Sequence, residues 1–250
     1  MLKRAFDFVA AGVGLIVASP ILLPVMFLVW WQDKHSPFYV AARVGRNGKP
    51  FRMVKLRSMI VNADTTGVDS TGANDPRITS VGRFIRRAKL DELTQLWNVF
   101  IGDMSLVGPR PNVKRETDLY TDVERGLLAV KPGITDFASI VFSDEGDILK
   151  DQADPDIAYN QLIRPGKGML GLFYIQHRSS LLDVYLCLLT LLAIVSRRRA
   201  LRTLGSLLTL LGAPPELKRL ASRSSPLVPT PPPGTDRVVT SRDGSISPHG

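Results

Sequence analysis

Apolar and polar positions divide the chain into distinct stretches. Phe8 to Trp31 runs 24 residues without a charge, more than the ~20 that a bilayer-crossing helix needs. It ends on Trp30-Trp31, and indoles favour the headgroup layer. Phe51 to Ile60 reads as a short strand after the Asn47-Gly48 turn signal, and residues 61–75 read as a polar loop. A helix is expected from Thr79 or Ser80, either residue a suitable N-cap. Leu90, Leu93, Leu96, Trp97 and Phe100 then recur at helical spacing and predict a core-facing stripe ended by Gly102. Gly108-Pro109-Arg110-Pro111 has to be an extended loop. Val184 to Val195 is apolar but too short to span. With Arg197, Arg198 and Arg199 behind it and Leu204–Leu211 beyond, it reads as an interfacial amphipathic helix or a buried one. Residues 136–156 hold seven acids and one Lys without calcium-loop spacing and read as a solvated face. Ala213 to Gly250 contains eight prolines and little periodicity and reads as a disordered tail.

Charge flanks refine the first stretch. Lys3 and Arg4 precede it, and six basic residues lie between Arg43 and Arg57 with no acid among them. Basic flanks stay cytoplasmic, so a straight span exports one of them. Ser19-Pro20 sits at the midpoint, where proline removes a backbone donor and bends a helix. A helix broken there can enter and leave one leaflet, with Ser19 a candidate partner for the freed backbone. A kinked spanning helix remains the alternative. The apolar run is too long for a signal peptide and lacks a cleavage site.

Composition narrows the chemistry. The chain has 250 residues, a formal net charge of +9, one cysteine and three histidines. A lone Cys187 excludes an internal disulfide framework, and no zinc-ligand spacing is present. Positive charge favours anionic partners, but most of the excess lies in the tail and no recognition motif supports nucleic acid. P-loop, dinucleotide-binding and serine-elbow patterns are missing. What remains is the adjacent pair Asp91-Glu92, with Arg83, Arg86, Arg87 and Lys89 crowding it. A carboxylate pair ringed by cations can hold Mg²⁺ while the cations hold phosphate, and a carboxylate can attack phosphorus. An acidic first turn complementing the helix dipole is the plainer alternative and is favoured on spacing alone. Arg110, fixed between two prolines, suits bidentate phosphate binding.

The runs Lys3-Arg4-x-x-Asp7, Ser19-Pro20, Arg43-x-Gly45-Arg46-Asn47-Gly48-Lys49-Pro50-Phe51, Lys55-Leu56-Arg57-Ser58-Met59, Asp75-Pro76-Arg77-Ile78-Thr79, Leu90-Asp91-Glu92-Leu93, Gln95-Leu96-Trp97-Asn98-Val99, Gly102 to Pro111 and Lys131-Pro132-Gly133-Ile134-Thr135 closely resemble the bacterial sugar transferases, the small monotopic polyprenol-phosphate phosphoglycosyl transferases. The resemblance covers residues 2 to about 195. It implies a membrane enzyme that moves a sugar-1-phosphate from a nucleoside-diphosphate sugar, with UDP expected, to polyprenyl (undecaprenyl) phosphate, initiating lipid-linked glycan synthesis. By the same resemblance Asp91 is the nucleophile of a covalent phosphosugar intermediate, and Glu92 is its partner in metal or proton handling. Mg²⁺ is the implied cofactor, held by Asp91 and Glu92. Arg110 lies on the family's Pro-Arg-Pro motif near the nucleotide phosphates, and Lys55, Arg57 and Arg86 are assigned phosphate contacts. Thr94 stands where Pro is usual and is expected to lengthen or loosen the turn; Asp136 stands where Gly is common.

The expected fold is α/β and helix-dominated: a monotopic protein with a re-entrant helix broken at Ser19-Pro20, a small β element and interfacial helices. Residues 1–35 form the membrane helix, 36–200 the catalytic domain, and 201–250 a basic, largely disordered tail. The expected location is the cytoplasmic face of the bacterial inner membrane. A non-catalytic, membrane-anchored scaffold of a polysaccharide assembly complex is the competing reading.

Overall fold

A computed structural model describes residues 2–63 and 75–241. Most of the expected loop at 61–75 and the last nine residues of the tail therefore lie outside the described residues.

Helix α1 (Leu2–Asp33) is apolar on every side, and one stripe of it is buried: Asp7, Ala11, Ala18, Leu22, Val25 and Val29. These steps of three, four and seven keep one face of a 3.6-residue helix against the rest of the protein along nearly its whole length. It is the one described helix long and apolar enough to cross a membrane. The expected break at Ser19-Pro20 is not a break in helical structure, for the element continues through Pro20 and Pro24. The reason is local. Pro20 cannot donate to the carbonyl of Ile16, and the Ser19 hydroxyl donates to that oxygen instead at 2.8 Å, so the carbonyl left over by the proline is satisfied.

Charged groups fasten both ends of α1. Lys3 pairs with the buried Asp183, and Arg4 donates to the carbonyls of Val99 and Phe100, each at 2.6 Å. Asp7 accepts from the backbone N–H of Leu106 at 3.1 Å. At the far end Asp33 receives the Arg57 guanidinium through two nitrogens.

The expected small β element is a hairpin, β1 (Phe38–Val44) and β2 (Pro50–Leu56), in antiparallel register from Phe38↔Leu56 to Val44↔Pro50. Its turn uses Asn47 (φ 57°) and Gly48 (φ 75°), as an Asn-Gly signal requires. The strand stops at Leu56, short of the expected Ile60. Next come α2 (Ser80–Arg87), α3 (Leu90–Leu93) and α4 (Leu96–Ile101). The buried Asn98 side chain pins α4 along the free edge of β2, accepting from Val54 N at 2.9 Å and donating to Arg52 O at 2.7 Å. The predicted core stripe holds for Leu90 but not for Trp97, which is 48% exposed. The helix is interrupted at Thr94-Gln95, so spacing across the interruption no longer tracks one face.

A second, parallel pair joins β3 (Ser105–Val107) to β4 (Gly133–Thr135) across α5 (Lys114–Asp118) and a 3₁₀ turn at Glu124–Ala129. Beyond β3 the chain passes so close to β4 that a Cβ on Gly133 would lie 2.1 Å from Gly108 N. After β4 come α6 (Phe137–Val141), α7 (Glu145–Ile148), α8 (Pro155–Ala158), a π-turn at Tyr159–Ile163, α9 (Arg164–His177), α10 (Ser180–Val195), α11 (Arg197–Leu210) and α12 (Pro215–Ser222). Phe137, Ile140, Leu170, Tyr174, Leu186, Leu204 and Leu208 form the main core between these helices.

Three expectations change here. Residues 201–222 are not a tail: Leu201, Leu204 and Leu208 on α11, with Leu217 and Ala221 on α12, fall at helical spacing and enter that core. Val239 is buried too, within an extended segment that Gln161 holds through Nε2→Val239 O at 2.7 Å. The acids at 136–156 are a solvated face only in part: Asp147 and Asp151 are exposed, but Asp136 is buried and caps α6, Asp144 meets Arg197 and Arg223, and Glu145 meets Lys167. Helix α10 combines both alternatives: Leu182, Leu186 and Leu189 enter the core, while Leu181, Leu188, Leu191 and Ile194 face outward.

Asp183 joins the two halves of the molecule, accepting from the Tyr174 hydroxyl at 2.6 Å as well as from Lys3. Asp183→Ala removes the nearer acceptor of a buried hydroxyl and an ammonium and leaves both only the Val107 carbonyl, at 3.2 and 3.4 Å. The expected loss is about 2–3 kcal/mol of stability, read as a lower urea midpoint for the detergent-solubilised protein.

Candidate functional site

Thr79 caps α2 by accepting from Gly82 N at 2.9 Å. The helix ends at Ala88, and Lys89 adopts the left-handed region (φ 56°) before α3 begins. A lysine is held in that region only where the surroundings impose it, and such conformations cluster at functional sites. The reversal puts Asp91 and Glu92 in the first turn of α3. The turn after it is tied to β2: Thr94 Oγ1 lies 3.2 Å from both Val54 O and Asp91 O and can donate to either. Thr in place of the usual Pro therefore fastens this turn rather than loosening it. The other departure, Asp136, has extended backbone (φ −164°) and needs no glycine.

Arg110 reaches α3 from the loop after β3 and pairs with Glu92 at 2.9 Å. Both are partly exposed, at 32% and 22% of their side chains. The charges around them sort the two carboxylates. Burial pushes the Glu92 carboxyl up, but Arg110, Lys55 and Lys89 outweigh it and hold it at about 2. Asp91, more deeply buried, is raised above the ordinary carboxylate value by that burial and by the Glu92 charge; Lys55, Arg110 and Arg86 offset only part of this. Lys55 is lowered to about 8 by burial and by neighbouring Arg110, against the pull of Glu92 and Asp91. Glu92 in turn stabilises the Arg110 cation. Among the described residues the Asp91 carboxylate has no hydrogen-bond or ion-pair partner, and neither oxygen is sealed from solvent. An adjacent carboxylate pair with one member pinned and one free thus faces two cations, an arrangement that can bind phosphate and present an oxygen nucleophile.

Of the residues singled out from sequence, Asp91, Glu92, Lys55 and Arg110 come together, and Arg86 contributes positive potential at Asp91. Arg57 does not join them. Its guanidinium is buried, with Nε donating to Ser36 O at 2.8 Å and the other nitrogens engaged by Asp33, so it is a fastener for α1. Ser19 and Pro20 lie between Ala18 and Leu22, which pack with Leu90 behind the dyad. Sequence reasoning missed the Glu145–Lys167 pair near Arg110, since nothing in a 22-residue separation marks two side chains as partners. It also missed Asp33, for which an acid closing an apolar helix opposite a basic strand was the available signal.

A family model described as bacterial sugar transferase matches residues 1–197. The chain is 44% identical over 149 residues to the undecaprenyl-phosphate galactose phosphotransferase of Salmonella typhimurium, covering 54% of this chain and 31% of that protein. It is 40% identical over 150 residues to the exopolysaccharide production protein ExoY of Rhizobium meliloti, covering 54% and 66%. Identity to the UDP-glucose:undecaprenyl-phosphate glucose-1-phosphate transferase of Escherichia coli is 41% over 143 residues, covering 56% and 31%. The chain thus spans about a third of the length of two of these relatives and about two thirds of the other.

The placement of Arg57 has a direct consequence. Arg57→Met is expected to weaken the attachment of the end of α1, so that proteolysis near residues 33–37 quickens several-fold. Affinity for inorganic pyrophosphate as a phosphate probe, measured by calorimetry, should stay within about twofold of the unmodified protein, whereas Arg110→Met should lower it by ~10-fold or more, the scale of one charge-assisted hydrogen bond.

Proposed function

The chain belongs to the bacterial sugar transferase family, and on that premise we propose that it transfers a sugar-1-phosphate from a UDP-sugar to undecaprenyl phosphate at the cytoplasmic face of the inner membrane. The observation that carries the proposal is the division within the dyad: Glu92 is held ionised by Arg110 while Asp91 stays unpartnered beside Lys55. In the first step an Asp91 carboxylate oxygen attacks the phosphorus bearing the sugar. The bond from that phosphorus to the bridging oxygen breaks, and UMP leaves with the electron pair. In the second step an oxygen of the lipid phosphate attacks the same phosphorus, the aspartyl oxygen departs as carboxylate, and sugar-diphospho-lipid is formed. Splitting the transfer keeps either step from requiring two phosphate substrates to meet directly.

The cations divide the work. Arg110 orients and neutralises the diphosphate, and Lys55, coupled to both Glu92 and Asp91, neutralises charge that accumulates as phosphorus changes partners. The residues fit Mg²⁺, a cation that takes one or two carboxylates and completes its shell with substrate phosphate and water. Asp91 and Glu92 would hold it, and when bound it would supply further neutralisation of phosphate charge. No larger cluster of metal-ligating side chains occurs among the described residues.

The membrane relation is proposed to be monotopic. Both ends of α1 are fastened to one globular body, and a single face of the helix packs on it from Asp7 to Val29. That supports a helix which enters one leaflet beneath the active site, with both basic flanks in the cytosol. The polyprenyl phosphate then presents its headgroup at the plane of the dyad.

Two outcomes test this reading. Asp91→Asn should abolish both the transfer of sugar-1-phosphate and the covalent phosphosugar adduct seen by mass spectrometry of quenched reactions, while the protein still sediments with membranes. Normal product from Asp91→Asn would refute the nucleophile. In the pH profile of kcat/KM, Lys55 is cationic below its value of about 8 and neutral above it, so activity should fall as pH rises through about 8. Asp91 is raised and must be ionised to attack, so the acid limb should lie above the ordinary carboxylate range. Lys55→Arg keeps its charge and should move the alkaline limb upward; an unmoved limb would remove Lys55 from the site.

A further inference from the structure

Glu145 and Lys167 form an ion pair that the steps above do not use. Lys167 lies in the first turn of α9, four residues before Gly171 and on the same helix face. Gly171 rests on the Arg110 loop, where a Cβ would stand 3.7 Å from Pro109 Cβ. Lys167 is therefore about one helical turn, ~5 Å along the axis, from the contact with that loop. Its ammonium is also held over the Tyr159 ring, 5.1 Å from the centroid.

Glu145 arrives from the other strand. Arg110 follows β3, while α6 and then α7 follow β4, and these strands are parallel neighbours. The chain leaves both strands at the same carboxyl edge, the side on which parallel sheets gather ligands. The start of α7 is clamped, since Asp144 meets Arg197 at 3.0 Å and Arg223 at 2.9 Å. Glu145 is electrostatically coupled to Arg110, and Lys167, Arg110 and Lys89 together outweigh the burial that would otherwise push its carboxyl up.

A diphosphate would be repelled by a carboxylate in this position, and an isoprenoid chain would not solvate an ion pair. Neutral hydroxyls suit it, because the carboxylate accepts and the ammonium donates within one rigid, charge-balanced unit. Resting on the functional reading above, we propose that Glu145 and Lys167 bind the hydroxyl groups of the transferred sugar and so set which sugar the enzyme accepts. Arg110 then holds the diphosphate, and the sugar lies on the α7–α9 side of it, away from Lys55.

The experiment compares the full-length membrane protein with Glu145→Gln and Lys167→Met. Binding of UDP-glucose, UDP-galactose and UDP is measured by calorimetry, with UMP release measured in parallel. For whichever UDP-sugar binds the unmodified protein more tightly, each variant should lose about 10–100-fold in affinity and in kcat/KM, the scale of a charge-assisted hydrogen bond. UDP, which lacks the sugar, should bind within twofold of normal, and that binding also shows that the variant is folded. A deoxy-sugar analogue missing the contacted hydroxyl should bind Glu145→Gln and the unmodified protein alike. The proposal is overturned if UDP weakens as much as the UDP-sugar, or if neither changes. A different result, sugar-dependent binding by the unmodified protein without any UMP release, would remove the transferase reading while leaving the sugar subsite standing.

Discussion

The Glu92–Arg110 ion pair ties together three parts of the molecule. It links α3, which carries the dyad, to the loop leaving β3, and that loop rests in turn on α9 through Pro109 and Gly171. Pairing at 2.9 Å in a half-buried cleft makes Glu92 a fixed anion and Arg110 a fixed cation. With Glu92 committed, Asp91 has a neighbouring negative charge and little solvent, and its carboxyl rises. The difference between two adjacent acids thus comes from which of them an arginine reaches, the usual way in which one pair of carboxylates acquires two roles.

The membrane helix imposes the second constraint. An apolar helix ~48 Å long would ordinarily be free to choose its tilt. Here Lys3, Arg4 and Asp7 fix one end to α10, α4 and β3, and Asp33 fixes the other to β2 through Arg57. Leu22, Val25 and Val29 then pack with Leu56, Ile85 and Leu90, directly behind the dyad. The depth of the dyad is therefore set by the same contacts that set the depth of the helix. The proposed transfer between a soluble and a lipid substrate needs that coupling, since an ångström of misplacement at the reacting phosphorus is costly.

Much of this arrangement is legible in the chain. The hairpin follows from Asn47-Gly48 between strand-like runs, the α2 cap from Thr79, and the rigid arginine from its flanking prolines. The Ser19 side chain as partner for proline-freed backbone is legible as well, although the helix it serves turns out to be unbroken. What could not be read depends on pairing across distance. Arg57 and Lys55 are two residues apart on one basic motif, and strand alternation alone would put them on one face. Yet β2 ends at Leu56, so Arg57 leaves that alternation and fastens a helix while Lys55 faces the dyad. The acids at 144 and 145 look solvated until α9, α11 and Arg223 supply their cations. The apolar run Leu204–Leu211 is legible as helical, but the proline-rich stretch after it conceals Leu217 and Ala221, and the burial of all of them depends on a core built elsewhere.

The excess of positive charge takes on a narrower meaning in this light. Cations at Lys55, Arg86, Lys89 and Arg110 act on the two carboxylates, so the surroundings of the dyad carry net positive charge. A diphosphate arriving there replaces water around several cations at once, and Arg110, already oriented by Glu92, loses little freedom in binding. The same cations leave Asp91 imperfectly compensated, since none forms a direct pair with it. A nucleophile paired as tightly as Glu92 would have to break that pair to attack. In the proposed transfer, leaving Asp91 unpaired would place the cost in the resting protein, as a raised carboxyl, and remove it from the step in which the phosphorus changes hands.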